Sequence, residues 1–285
     1  ARRTRQRAQM IAATPLSSQF EPDRSSRKTW QQQLAEAVSD PRELCELLDL
    51  DAALIERALA SARDFALRVP RSFVAKMRKG DPRDPLLLQV LPVLAERTLV
   101  PGFMHDPVGD LHSRASTGVL HKYEGRALII ATGASAVHCR YCFRRHYPYG
   151  DESALPAGWQ KTIEAVRADP SIAEVILSGG DPLSLSNRRL REFSNLLMTV
   201  PHVRRLRIHT RYPVVLPDRV DADLLNWLDQ LPIQRVIVIH ANHPREIDGQ
   251  VADACRALAG VGATMLNQSV LLAGVNDDAD TLVEL

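Results

Sequence analysis

The stretch that decides the fold is Ser135-Ala136-Val137-His138-Cys139-Arg140-Tyr141-Cys142-Phe143-Arg144-Arg145-His146. With a cysteine at its first position it would read C-x3-C-x2-C, a spacing that puts three thiolates on one short loop. Three such thiolates hold three irons of a [4Fe-4S] cube and leave the fourth iron open to a small molecule. Here only Cys139 and Cys142 supply sulfur, and Ser135 stands at the first ligand position. A serine oxygen is harder and less acidic than a thiol, so it binds iron weakly. An engineered change, a disabled copy and a weak oxygen ligand all stay open at position 135. A zinc knuckle built from Cys139, Cys142 and His138 or His146 is the competing reading, although no second C-x2-C or H-x3-H is present to close its tetrahedron.

From residue 126 onward, short apolar runs alternate with amphipathic segments, the pattern of repeated β/α units on a parallel sheet. The runs predict strands at 127–132, 174–178, 205–209, 235–240 and 264–269, with helices near 159–168, 188–199, 221–230 and 247–260. The four later strands end on polar or glycine clusters: Ser178-Gly179-Gly180-Asp181, His209-Thr210-Arg211, His240-Ala241-Asn242-His243 and Asn267-Gln268-Ser269. In barrel-like α/β folds the carboxyl ends of the strands carry the site. These clusters and the cysteine loop are therefore expected to face one cavity.

Upstream, residues 1–27 are polar, carry several arginines and show no period, so a mobile basic arm is expected. Residues 28–118 read as a helical region followed by a wrapping connector. A helix begins near Trp30, and Asp40-Pro41 and Asp51 look like helix starts. Leu54, Ile55, Ala58, Leu59, Ala62, Phe65 and Ala66 recur at helical spacing up to Pro70. The proline- and glycine-rich stretch 80–118 reads as extended chain, and residues 119–285 form the α/β region.

The 285 residues are 45% hydrophobic and 25% charged, ordinary for a soluble globular protein. A net charge of +2 argues against nucleic acid as a partner. No apolar run reaches the roughly 18 to 20 residues of a membrane span, and none follows the basic start as in a secretory signal, so a cytoplasmic location without membrane attachment is expected. Four cysteines do not make a disulfide scaffold. Cys45 and Cys255 sit in helical patterns and read as structural thiols.

With these residues in hand the chain resembles the radical S-adenosylmethionine (SAM) enzymes of the lysine 2,3-aminomutase family, on the side of the bacterial aminomutases that supply (R)-β-lysine for modification of elongation factor P. The likeness runs from Phe65-Ala66-Leu67-Arg68-Val69-Pro70-Arg71-Ser72-Phe73 through His121-Lys122-Tyr123 and the cysteine loop. It continues through Leu177-Ser178-Gly179-Gly180-Asp181-Pro182 and His240-Ala241-Asn242-His243-Pro244 to Leu266-Asn267-Gln268-Ser269-Val270-Leu271-Leu272. It implies a partial (β/α)6 barrel with an N-terminal helical extension, a [4Fe-4S] cluster, SAM and pyridoxal 5′-phosphate (PLP) as cofactors, and isomerisation of L-lysine to β-lysine. A homo-oligomer is left open. The alternative is a barrel that binds SAM, another ligand or a protein without turnover, which Ser135 favours.

The resemblance makes Cys139 and Cys142 the second and third cluster ligands and Ser135 the occupant of the first position. It sets Ser178, Gly179, Gly180 and Asp181 against the methionyl ammonium of SAM, where glycines permit close approach and a carboxylate suits a cation. It assigns His240, Asn242 and Gln268 to the SAM and PLP pocket. Lys122, Tyr123 and Arg126 fall where the family meets the PLP phosphate, with a solvated basic turn as the bland alternative. Arg144 matches an arginine that clamps the substrate carboxylate, for which a planar guanidinium is suited. The family's PLP-anchoring lysine lies in a later segment without a counterpart before Leu285, so a barrel truncated at its C-terminus is expected. Lys76, Lys79 and Lys161 read as surface helix residues.

Overall fold

A computed structural model describes residues 28–62, 65–98, 100–152 and 159–285, and the expected arm at 1–27 lies outside them. A mixed α/β architecture is built on one seven-stranded sheet: β1 (Arg114–Ser116), β2 (Val119–Tyr123), β3 (Arg126–Thr132), β4 (Glu174–Gly179), β5 (Arg205–Thr210), β6 (Gln234–His240) and β7 (Thr264–Gln268). The spatial order equals the chain order. β1, β2 and β3 pair antiparallel, and β3 through β7 run parallel. No strand reverses the winding, so no switch point of the doubly wound kind arises.

The helices Trp159–Ala168, Asn187–Leu197, Ala222–Asp229 and Gly249–Gly260 join the parallel strands, and their ends differ from the sequence expectation by at most two residues. Their starts are written locally. Ser186, Asp221 and Asp248 each accept a hydrogen bond from a backbone N–H of the first turn, that of Arg189, Leu224 and Val251 respectively. Thr29, Asp40 and Asp51 cap the N-terminal helices Trp30–Ala35, Pro41–Leu47 and Ala52–Ser61 in the same way.

Strand alternation then sorts the two faces of the sheet. Along β5, Leu206, Ile208 and Thr210 are buried while Arg205, Arg207 and His209 are half-buried. The register sets Leu177 beside Ile208 and Ile208 beside Ile237, an apolar row among the helix-packed core. Phe193 of the covering helix lies with its ring centroid 4.7 Å from that of Trp159, and Trp227 donates its indole N–H to Ser194. The other face is mixed, apolar at Ile130, Val236 and Val238 and polar towards the carboxyl ends of the strands. Ser178 and His209 share it, and β6–β7 pairing sets His240 beside Gln268. The site opens on this face, towards the carboxyl ends of the strands.

Three sequence expectations change. The third helix ends at Ser61 instead of running on towards Pro70, and Val69, which that proline keeps out of the helical region, pairs with Val38 as an isolated bridge. The connector ends in the short strand β1, which pairs as a hairpin with β2 just beyond it. Lys76 is not a surface residue: its side chain is 8% exposed, donates to the carbonyls of Val214 and Glu246, and pairs with Asp248 at 3.1 Å. No helix of the described residues is long and apolar enough to cross a membrane.

Candidate active site

The cysteine loop leaves β3 and is sewn to the end of β4. Gly180 N–H donates to Thr132 O and Asp181 N–H to Ala134 O, both at 2.7 Å. Glycine is required here by packing: a Cβ on Gly180 would lie 2.7 Å from the Gly133 carbonyl and closer still to Ala134 O. Gly179 has φ +123°, and a Cβ there would strike Thr132 O at 2.5 Å. The close approach that these glycines permit is thus made first to the loop's own backbone.

Further on, the loop is held from two sides. Glu96 accepts from Arg140 and Arg145, and both guanidinium groups lie over the Phe65 ring. His138 stacks on the same ring at 5.1 Å and sits 2.8 Å from Ala66 O through Nδ1. From beneath, the buried Arg211 donates to Cys139 Sγ at 2.7 Å, to Tyr141 Oη at 2.6 Å, to Gln89 and to Glu246. Asn242 also donates to Tyr141 Oη, at 2.7 Å. Sequence reasoning did not find Phe65, Glu96, Tyr141 and Glu246 as supports, since each acts across a long separation in the chain.

Ser135, Cys139 and Cys142 line one cavity of about 320 Å³ together with Arg144, Ser178, Gly179, Gly180, Asp181, His209, His240 and Gln268. Most of the strand-end residues singled out in the sequence therefore do converge. Asn242 does not line it. It is buried at 1% exposure, its amide nitrogen reaching Gln89 and Tyr141 and its oxygen accepting from Val270 N–H. Lys122, Tyr123 and Arg126 also lie off the cavity: Lys122 pairs with Asp110, Tyr123 is exposed, and Arg126 stands 3.8 Å from Glu174.

The donor set fits an iron–sulfur cluster at two of three protein corners. Two thiols three positions apart face the cavity, and the third position carries a hydroxyl. Among the described residues no group of three or more His, Cys, Asp or Glu side chains is arranged to hold a metal ion. His146 stacks on His105 at 4.1 Å, and His138 is engaged with Phe65 and Ala66 O, so neither completes a zinc site with the thiols. Burial raises the Cys142 thiol above its usual range, and neighbouring Cys139 adds to the effect.

The floor of the cavity is polar but uncharged at its histidines. Burial pushes His209 down to about 4 in spite of its 3.0 Å bond to Gln268 Oε1. Burial, and then the neighbouring His209, push His240 down to about 3; its Nε2 is buried and has no protein partner. Asp181 is raised to about 6 by burial. Its Oδ1 accepts from Thr210 Oγ1 and Leu183 N–H and its Oδ2 from Arg211 N–H, which leaves acceptor capacity mainly on Oδ2.

Arg144 is 7% exposed. Its Nε donates to Asp110 Oδ2 at 2.7 Å and its Nη1 to Ser178 Oγ at 2.8 Å. The planar group is thus fixed at the cavity wall, with one nitrogen, Nη2, outside both bonds.

No protein-family model matches the chain. It is 47% identical to the L-lysine 2,3-aminomutase of Escherichia coli K12 over 263 residues, which cover 91% of this chain and 76% of that protein. It is 44% identical to the L-lysine 2,3-aminomutase of Haemophilus influenzae over 92% of this chain and 78% of that one. The L-lysine 2,3-aminomutase of Clostridium subterminale is 31% identical over 90% of this chain and 62% of its own length. Identity at this level across nearly the whole chain, together with a cysteine loop and strand ends that meet in one cavity, makes the chain a member of the L-lysine 2,3-aminomutase family.

Proposed function

We propose that the chain belongs to the radical SAM branch of α/β barrels and catalyses the 1,2-amino shift that converts L-lysine to β-lysine. The observation that carries this reading is the convergence of Ser135, Cys139 and Cys142 with the ends of β4, β5, β6 and β7 on one cavity. In this reading β3 to β7 form part of a (β/α)6 barrel, residues 28–118 are its helical extension and connector, and residues 1–27 an arm. Cys139 and Cys142 would hold the cluster, with Ser135 a weak oxygen ligand. When bound, the cluster and SAM supply one-electron cleavage of a sulfur–carbon bond, and PLP supplies the electronic route for nitrogen migration.

The chain's own residues bind, orient and shield. Gly179 and Gly180 keep the strand end flush with the loop, so a ligand meets backbone rather than side chains there. Asp181 offers its remaining lone pair to an ammonium. Arg144, itself buried, presents a guanidinium to the substrate carboxylate in a charge-assisted bond. His209 and His240, held neutral, add no positive charge near the methionyl ammonium or near a sulfonium, and His240 Nε2 is free to bond a ligand. Lys122 and Arg126 would serve a phosphate only after release from Asp110 and Glu174. The reaction belongs in the cytoplasm, with β-lysine passing to elongation factor P modification, and an oligomer is compatible with the open edge of β7.

Anaerobic reconstitution with iron, sulfide, SAM, PLP and L-lysine tests the reading through β-lysine and 5′-deoxyadenosine. We expect low iron content and low yield in the chain as it stands, both rising in Ser135→Cys. Equal values in the two proteins would sink the ligand assignment at position 135. Ser135 also supports a second reading, a binding barrel without turnover. A colourless protein that binds SAM by calorimetry, with no product in either version, would favour it.

A further inference from the structure

The geometry points to Asp110 as a positioning residue that sets Arg144 for an α-amino-acid carboxylate, an inference that rests on the carboxylate-binding reading of Arg144. Asp110 lies just before β1, outside the strand-end clusters, and its side chain is 3% exposed. One oxygen accepts from Arg144 Nε at 2.7 Å and the other pairs with Lys122 Nζ at 2.6 Å. A buried carboxylate between two cations leaves the group with one net positive charge, directed to the cavity through Arg144. Backbone N–H groups of Asp110 and Leu111 are in turn held by Asp106. The anchor is therefore itself braced, as precise orientation of a binding group requires.

Arg144 has two holds, Asp110 on Nε and Ser178 on Nη1, and together they fix the plane of the guanidinium and the direction of Nη2. Charge and positioning make opposite predictions for removal of the Asp110 charge. A site that attracts carboxylate only by net charge binds more tightly when an anion is taken away. A site that depends on orientation binds more weakly, since the released arginine can turn from the cavity.

The test is equilibrium dialysis of labelled L-lysine, and of cadaverine, which lacks the carboxylate, against the PLP-loaded full chain. Asp110→Asn is expected to weaken L-lysine binding by about tenfold or more, the scale of a charged hydrogen bond, while cadaverine binding stays within about threefold, so that the preference for the carboxylate falls. Tighter or unchanged L-lysine binding in Asp110→Asn overturns the inference. Should Asp110→Asn fail to fold, Asp110→Glu keeps the charge and displaces the guanidinium by about one methylene, with the same loss of preference expected and its retention overturning the idea. Arg144→Met separates the two levels: L-lysine binding unchanged in that variant, or absent from the unmodified protein, refutes the reading of Arg144, whereas a loss in Arg144→Met without one in Asp110→Asn refutes Asp110 alone.

Discussion

Replacing Gly180 by alanine tests the seam between the cysteine loop and β4. The added Cβ would stand 2.7 Å from both the carbon and the oxygen of the Gly133 carbonyl, short of ordinary contact by roughly 0.8 Å. Every atom it meets is backbone, so no side chain can swing away. The two strands of chain must part, and the bonds Gly180 N–H to Thr132 O and Asp181 N–H to Ala134 O lie within the region that opens. Two such bonds contribute about 1 kcal/mol each, and forced overpacking costs about 1–3 kcal/mol more. A loss of about 3–5 kcal/mol results, a large part of the 5–15 kcal/mol typical of a folded domain. Urea unfolding followed by circular dichroism reads this as a lower midpoint at constant slope. Gly260→Ala is the control, for a Cβ at that helical position meets nothing within 4 Å; it should be neutral or stabilising by up to about 1 kcal/mol. If Gly180→Ala unfolds at the same midpoint as Gly260→Ala, the packing explanation of the glycine pair is wrong.

Two other expectations bear on stability. His209 and His240, with folded values of about 4 and about 3, take up protons more readily when unfolded, so their contribution is full above about 6.5 and is lost as the pH falls towards those values. Asp181, raised to about 6, acts with the opposite sign: its contribution is greatest below the usual carboxylate range and is lost as the pH rises through 6. For these three groups, two protons against one make stability rise with pH between about 4 and 6 by about 1.4 kcal/mol per unit, and His138, His146 and His243, all lowered mainly by burial, add in the same direction. Denaturant titrations across that range should show at least this slope, and His240→Gln should reduce it; an unaltered slope in the variant would contradict the assignment. Lys76→Ala should cost about 1–3 kcal/mol by leaving buried carbonyls of Val214 and Glu246 unsatisfied, against almost nothing for the exposed Lys79→Ala. Thermal melts of the two variants that coincide would count against a buried role for Lys76.

The strands and helices from Arg126 onward were legible because each is a local pattern: an apolar run, a polar strand end, an aspartate or serine cap. β1 was hidden at the end of a stretch whose prolines and glycines point to loop, and β2 directly after it is bracketed by turns at Gly118 and Gly125, both at positive φ. The cavity's rim could be read from the strand ends, since topology alone brings them together. What supports the rim could not. Gln89 and Arg211 meet across 122 residues, Lys76 and the Glu246 carbonyl across 170, and nothing local in either partner announces the other. Lys76 illustrates the limit: in a helical-looking stretch a lysine reads as solvated, and its burial is decided by carbonyls from two remote segments. Asp110 was overlooked for the same reason, lying in a turn whose sequence carries no motif.

Arg211 has a consequence for anyone reshaping this cavity. One guanidinium gathers a 3-10 turn, the middle of the cysteine loop, the end of β5 and the turn after β6, so four distant pieces of chain share a single fastening. Substitutions at Gln89, Tyr141 or Glu246 would be felt at the sulfur of Cys139 even though the first and last lie outside the cavity. A library meant to accept other amino acids is therefore better drawn from wall positions outside this knot, such as Val137 and Phe143.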